Sequence, residues 1–119
     1  MLPAAARVRT PAEHRLVARR GRRGAAGPLS VRLLTAEPTG PARAGVVVPK
    51  TVGNAVARNR VKRRLRHLLA ARIVDLPWGA SLVVRADAGA AALSSAALGE
   101  HLDTALAAVS RPRPAAAGR

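Results

Sequence analysis

Few side chains in this sequence are of the types that perform acid-base or metal chemistry. His14, His67 and His101 could serve proton-transfer cleavage of RNA, and Glu100 and Asp103 are spaced to share a helix face that could touch a metal ion. The histidines fall in three different predicted helices, where exposed histidines are common, and acids on an amphipathic helix are usually just solvated. The chain has no cysteine and no phosphate-binding glycine motif. We therefore predict no catalytic residue and no metal ligand.

The residues that could bind a partner are concentrated between Gly53 and Leu69, in the stretch GNAVARNRVKRRLRHLL. Asn54 is a suitable helix N-cap, because its side-chain oxygen can accept from a backbone N–H one turn on, and no Gly or Pro interrupts the residues that follow. At helical spacing one side of this predicted helix is apolar and should face a core. That stripe consists of Val61, Leu65, Leu68 and Leu69, with Ala57 extending it toward the N-terminus.

The opposite side of the same predicted helix is cationic. One row on this side consists of Arg60, Arg63 and His67, and an overlapping row consists of Asn59, Lys62, Arg63 and Arg66. Arg64 lies on the flank of this side, and Arg58 lies near the apolar edge. No acid occurs between Glu37 and Asp75, so no helical pair of opposite charge, worth about 0.2–0.5 kcal/mol each, stabilises this side. A solvated face is the simpler alternative. The mutual repulsion of the cations instead favours a polyanionic partner that releases its own counterions on binding.

Net charge points to the same kind of partner. The 119 residues include 21 Lys+Arg and 6 Asp+Glu, which gives a formal net charge of +15, and only Lys50 and Lys62 are lysines. The guanidinium group of arginine is planar, and its N–H donors match the geometry of a phosphate. Lys50, at a predicted strand end, could contact phosphate or protect the strand edge. Because Trp78 is the one aromatic residue, RNA binding would depend on charge, hydrogen bonds and shape rather than on stacking platforms.

The rest of the pattern predicts the elements that position this helix. A capping box at residues 10–13 begins a first helix that ends near Gly21, and the arginines of residues 19–23 are expected in a basic turn closed by Gly24 and Gly27. Strands are predicted at residues 29–33, 43–50 and 81–86, and residues 46–48 of the second strand are expected to be buried on both faces of the sheet. Residues 88–92 are predicted to be a linker, and a last helix is expected to begin after Ser94 or Ser95. The order helix, strand, strand, helix, strand, helix predicts an α+β fold, a small two-layer sandwich about a central sheet.

The length of the chain suits a single RNA-binding domain over residues 10–110. Residues 1–9 are predicted to be a basic arm, and residues 111–119 hold too little apolar content to pack and are predicted to be disordered. The N-terminus reaches charge before any signal-type apolar run, and no stretch approaches the length of a membrane span. A cytoplasmic location without a membrane partner is therefore expected.

The central stretch resembles the signature of the bacterial ribonuclease P protein subunit. Residues 48–56 read Val-Pro-Lys-Thr-Val-Gly-Asn-Ala-Val, and residues 58–63 read Arg-Asn-Arg-Val-Lys-Arg. With the upstream Arg-Arg-Gly turn and the chain length, this resemblance is specific and extends roughly over residues 7–109. It implies that the chain assists a catalytic RNA subunit, which removes the 5′ leader of precursor tRNA with Mg²⁺ held largely by RNA. The protein alone would bind no cofactor and need no obligate protein partner.

The resemblance also implies where RNA binds. Contacts to the RNA subunit would come from Arg58, Asn59, Arg60, Lys62, Arg63 and Arg66, with Lys50 and Asn54 beside them. A cleft between the first helix and the sheet would bind the leader. Where the family usually carries aromatic residues, this chain has His14, Ala18 and Arg32, so charge and planar packing would replace stacking. The family fold further implies an uncommon left-handed crossover through the basic helix, against the usual right-handed preference.

Three other functions are compatible with so basic a chain. The main alternative is a structural ribosomal or other ribonucleoprotein protein that packs RNA, and composition does not separate it from the reading above. A DNA-binding protein is disfavoured because dimer seams and zinc sites are missing. Binding to a membrane surface is disfavoured because the apolar stripe of the basic helix lacks aromatic anchors.

Overall fold

The computed structural model describes residues 11–35, 41–77 and 79–110, apart from the side chains of residues 11–14, 18 and 110. The predicted basic arm, the C-terminal tail and Trp78 lie outside the described residues. The main elements are α1 (Pro11–Arg20), β1 (Arg22–Ala26), β2 (Leu29–Thr35), β3 (Arg43–Val47), α2 (Ala55–Arg72), β4 (Ala80–Ala86) and α3 (Ser95–Ser110). Single 3-10 turns lie at Lys50–Val52, Ile73–Asp75 and Ala90–Ala92.

The four strands form one sheet in the order β1-β2-β4-β3. Both contacts of β2 are antiparallel, with Val31 opposite Gly24 of β1 and opposite Val84 of β4. β3 runs parallel to β4, and the chain passes from one to the other through α2. The predicted α+β fold with α2 in the crossover is confirmed, and the left-handed sense of that crossover stays a prediction.

The strand β1 was not expected from the sequence, which predicts a basic turn at its beginning. Arg22 and Arg23 instead begin an edge strand that is joined to β2 by the two-residue turn Gly27–Pro28. Gly27 has φ +55°, which suits the first position of a tight hairpin turn. A Cβ on Gly24 would come within 2.7 Å of the carbonyl oxygen of Ala105. The glycines that suggest a loop therefore permit a hairpin turn and the close approach of α3.

The core lies between one face of the sheet and the two helices α2 and α3. The sheet contributes alternate residues, including Leu29, Val31, Leu82 and Val84, which are at most 1% exposed. The predicted apolar stripe of α2 is confirmed, since Val61, Leu65 and Leu69 are fully buried and Leu68 is half-buried. α3 adds Leu98, Leu102, Ala105 and Val109. Packing of these faces therefore determines which side of α2 points outward.

The first helix covers part of the other face of the sheet. Val17 of α1 is 1% exposed, and Arg15 lines a cleft together with the outward-facing residues Arg32, Val83 and Arg85. α1 thus leaves part of this face open beside itself.

Two predictions about burial differ from the structure. Val46 and Val47 are half-buried rather than buried, because β3 lies at the edge of the sheet that the described residues form, next to β4. Residues 88–92 are not a featureless linker, since they include a 3-10 turn in which Ala90 is fully buried. Within the described ranges, no helix combines the length and apolar character needed to cross a membrane.

Candidate RNA interface

The N-terminus of α2 is held in place by its own local sequence. The side-chain oxygen of Asn54 accepts a hydrogen bond from the backbone N–H of Ala57 at 2.9 Å, which confirms the predicted N-cap. Gly53, at φ +152°, precedes it, and a Cβ there would lie 2.9 Å from the Cβ of Ala57. A side chain at Gly53 would therefore be strained and crowded. Lys50 is exposed in the 3-10 turn just before this glycine, close in sequence to the start of α2.

Burial of the apolar stripe turns the cations of α2 outward. We call the set Asn59, Arg60, Lys62, Arg63, Arg66 and His67 the cationic face of α2. Asn59, Arg60, Arg63 and His67 are exposed, whereas Lys62 and Arg66 on its flank are half-buried. Long cationic side chains on such a flank can cover apolar surface with their stems and keep the charge in water. The face is therefore a continuous row of donors along a rigid helix.

The charges on this face have no carboxylate partner among the described residues. Ion pairs of the described chain join Arg72 to Asp103 at 2.5 Å and Arg85 to Asp87 at 3.1 Å, and no described carboxylate contacts a cation of α2 between Arg58 and Arg66. The hydrogen bond from Arg72 lowers the pKa of Asp103 and raises that of Arg72. That pair joins the end of α2 to α3. The expectation that the chain's own acids do not neutralise this side of the helix is thus confirmed for the described residues.

Two arginines of α2 differ from the rest. Arg58 is half-buried near the apolar side, and its Nε is buried without a hydrogen-bond partner among the residues that the structure describes. A buried donor left unpaired costs about 1–3 kcal/mol. Arg64 donates from a terminal nitrogen to the backbone carbonyl of Leu93 at 2.9 Å, which joins α2 to the segment before α3. Arg64 therefore supports the fold, and a contact of Arg58 with RNA stays a prediction.

A second cationic feature is the cleft between α1 and the open face of the sheet. Its volume is about 460 Å³, and it is lined by Arg15, Arg23, Ser30, Arg32, Val47, Val83, Arg85 and Asp87. The predicted leader-cleft residue Arg32 does line it. The side chains of His14 and Ala18 lie outside the described residues, so their place in the cleft stays a prediction. Val47 and Val83 provide apolar surface between the arginines, and Asp87 pairs with Arg85.

Most of the residues that line this cleft were not predicted from the sequence, although a signal was present. Ser30 and Arg32 alternate with buried residues of β2, as Val83 and Arg85 do in β4, so the outward face could have been read from the alternation. The pairing of Ser30 with Arg85 and of Arg32 with Val83 places these residues side by side. Arg15 and Arg23 join them only through tertiary packing, which no local pattern specifies.

The described histidines are in separate places. His67 is exposed on the cationic face of α2. The ring of His101 lies against Gly27 at the β1–β2 turn, where a Cβ added to Gly27 would come within 2.8 Å of that ring. Over the described part of the chain, no three His, Cys, Asp or Glu residues are placed to hold a metal ion. Both cationic features present guanidinium groups, and the cationic face of α2 adds the amine of Lys62 and the amide of Asn59. These groups are hydrogen-bond donors of the kind that bind anions.

Comparison with protein families and sequences identifies relatives over nearly the whole chain. The family model described as Ribonuclease P matches residues 2–110. A ribonuclease P protein component from Nocardioides sp. is 51% identical over 108 residues, which is 89% of this chain and 92% of the relative. The ribonuclease P protein component of Thermobifida fusca is 45% identical over 120 residues, covering 95% of this chain and 82% of the relative.

Solved structures have the same fold. The RNase P protein of Staphylococcus aureus superposes with a TM-score of 0.80 at 22% identity, over 88% of this chain and 95% of that one. The RNase P protein of Thermotoga maritima, in complex with 1-(4-fluorophenyl)-2-thiourea, gives a TM-score of 0.75 at 22% identity, over 90% of this chain and 100% of that one. At this identity the likeness establishes the shared fold.

Proposed function

This chain belongs to the ribonuclease P protein family, and we propose that it binds the RNA subunit through the cationic face of α2 and the 5′ leader of precursor tRNA through the cleft beside α1. As a ribonuclease P protein component it is part of an endoribonuclease complex that processes tRNA. The observation that carries the proposal is the row of α2 cations that no described carboxylate neutralises.

The cationic face would lower the electrostatic cost of bringing two RNA molecules together. Phosphates of the RNA subunit and of the precursor repel each other at close approach, and a rigid row of guanidinium groups between them offsets that repulsion. Release of condensed counterions adds a favourable term for every phosphate that is neutralised. Arg60 and Arg63 suit this role because they are exposed and because guanidinium binds phosphate through two parallel donors.

We assign cleavage to the RNA subunit. The two cationic features offer donors and positive charge, and Asp87, the carboxylate among the described residues that line the cleft, is paired with Arg85. Positive charge along α2 would repel Mg²⁺ and attract phosphate, so the Mg²⁺ that supports hydrolysis would be held by RNA oxygens. The contribution of the protein is then to position the leader and to stabilise the folded RNA around it.

The cleft would hold the leader as an extended single strand. Arg15, Arg23 and Arg32 supply phosphate and base contacts around it, while Val47 and Val83 form an apolar floor. Because the floor is aliphatic, affinity would depend on charge and on the planar guanidinium of Arg32 more than on ring stacking. We also propose that the protein acts in the cytoplasm without an obligate protein partner.

The experiment that tests this function is reconstitution with the cognate ribonuclease P RNA and a precursor tRNA. We expect the protein to stimulate removal of the leader strongly at low Mg²⁺, where RNA–RNA repulsion is least screened. A variant with Arg60→Glu and Arg63→Glu should lose most of that stimulation. The control is a polyarginine peptide of equivalent net charge, which should not reproduce it.

The outcome also decides between the proposed function and that of a structural RNA-packing protein. A packing protein would bind the RNA without increasing the rate at which the leader is released. Absence of stimulation at every Mg²⁺ concentration, in complexes shown to be fully formed, would therefore contradict the proposed function.

A further inference from the structure

An apolar side chain stands in the cationic surface of α2. Val56, in the first turn of α2, is 68% exposed. In the described part of the chain, the other exposed large apolar side chains are Leu16 on α1, at 46%, and Val74 in the turn after α2, at 78%. Val56 alone of these three is surrounded by cations of the proposed RNA-binding face.

Helical geometry puts Val56 on the same side of α2 as three exposed members of that face. At about 100° per residue, Arg60, Arg63 and His67 lie within about 40° of Val56 around the helix axis. Leu65, which is fully buried, lies about 180° away from it. Val56 therefore points straight away from the core, at the N-terminal end of the row of guanidinium groups.

In the free protein, valine at this position contributes little to stability. A β-branched residue is a poorer helix former than alanine, and at this exposure the side chain buries little apolar surface within the protein. Val56 lies one helical turn before Arg60 on the same side of α2, so an RNA whose phosphates are bound by Arg60 and Arg63 would also lie over Val56. Sequence-specific RNA recognition usually targets unpaired bases, whose faces are apolar and need a matching surface.

We propose that Val56 packs against the face of an unpaired base of the ribonuclease P RNA, with the guanidinium plane of Arg60 covering the adjacent part of that base. With neither Phe nor Tyr in the sequence, aliphatic side chains must supply most of the apolar surface that a base needs. This inference rests on the proposed function, because it requires that the cationic face of α2 meets that RNA. It assigns to Val56 a contribution to affinity that does not depend on salt.

The test compares Val56→Ala and Val56→Ile with Val74→Ala, a change at a similarly exposed valine outside the face. Affinity of the full-length protein for the ribonuclease P RNA is measured over a range of salt concentrations. Val56→Ala should weaken binding about three- to tenfold at every salt concentration, with an unchanged slope of log K against log salt. Val56→Ile and Val74→Ala should bind as the unchanged protein does. Alanine favours helix, so the variant should fold, which a thermal melt verifies.

Chemical probing of the bound RNA locates the contact. One unpaired nucleotide that the unchanged protein protects should become reactive with Val56→Ala and remain protected with Val74→Ala. An affinity that Val56→Ala leaves unchanged overturns the inference, and so does equal weakening by the two alanine variants.

Arg60→Ala separates this inference from the proposed function. If Arg60 contacts a phosphate, this change lowers the salt slope by about one unit or somewhat less. A reduced slope for Arg60→Ala, together with unchanged affinity for Val56→Ala, refutes the role of Val56 alone. If Arg60→Ala changes neither the slope nor the affinity, Arg60 does not contact the RNA, which contradicts the placement of RNA on the cationic face itself.

Discussion

At the scale of single residues, Arg32 is the predicted leader contact that the structure places in the cleft. It lies in β2 between Arg23 of β1 and Val83 of β4, so strands on both sides determine its direction. We expect Arg32→Ala to weaken binding of precursor tRNA by the holoenzyme about three- to tenfold, because a charged contact to the leader is lost. Affinity for mature tRNA, which has no leader, should not change.

Arg66→Ala is the matched control for Arg32. Arg66 lies on the flank of the cationic face of α2, so its loss should weaken assembly with the RNA subunit and leave the preference for a leader unchanged. The measurement is the ratio of dissociation constants for precursor and mature tRNA, at protein concentrations that saturate the RNA subunit. A ratio that Arg32→Ala does not alter would refute the contact between this residue and the leader.

At the scale of elements, the position of α3 against β1 depends on the absence of a side chain at Gly24. A Cβ there would lie 2.7 Å from the carbonyl oxygen of Ala105 and 2.8 Å from the side chain of Val109. Because backbone atoms are involved, α3 would have to move. We expect Gly24→Ala to reduce the free energy of unfolding by about 1–3 kcal/mol, as measured by denaturant titration.

Gly99→Ala is the same substitution in a different environment. It is buried in α3, and a Cβ there would meet only the ends of the Arg72 and Leu68 side chains, at 3.3 and 3.4 Å. Gly99→Ala should be neutral or stabilise the protein by up to about 1 kcal/mol, because alanine is the better helix former. Equal destabilisation by the two substitutions would show that close approach at Gly24 is not what distinguishes them.

At the scale of the whole molecule, a net charge of +15 opposes folding of the free protein. Salt screens this repulsion, so the midpoint of thermal unfolding should rise by about 5 °C between low salt and roughly 0.5 M salt. The complex with the ribonuclease P RNA should respond in the opposite direction, since salt weakens RNA binding and removes the stabilisation that a bound ligand gives.

Thermal melts of the free and bound protein, recorded over the same salt series, check this expectation. A midpoint for the free protein that falls steadily with salt would mean that attractive pairs, such as Arg72 with Asp103, outweigh the repulsion.

The sequence predicts α2 more completely than it predicts the rest of the fold. The cap at Asn54, the buried stripe through Leu65 and the outward cations of α2 were all predictable, because helix periodicity and capping act over a few neighbouring residues. β1 was not predictable, because the glycines that suggest a loop there serve a hairpin turn at Gly27 and the approach of α3 at Gly24.

By itself the sequence determined that the protein is a cationic binder with an arginine-rich helix at its centre. Net charge, helical periodicity and the motif at residues 48–63 can all be read directly from the residues in their order along the chain. Only the tertiary structure decided which cations share a surface. Arg15, Arg23, Arg32 and Arg85 come from α1 and three different strands, and they line one cleft because strand pairing and the packing of α1 bring them together. Contacts between residues far apart in the chain depend on the relative free energies of whole packings, which no local pattern encodes.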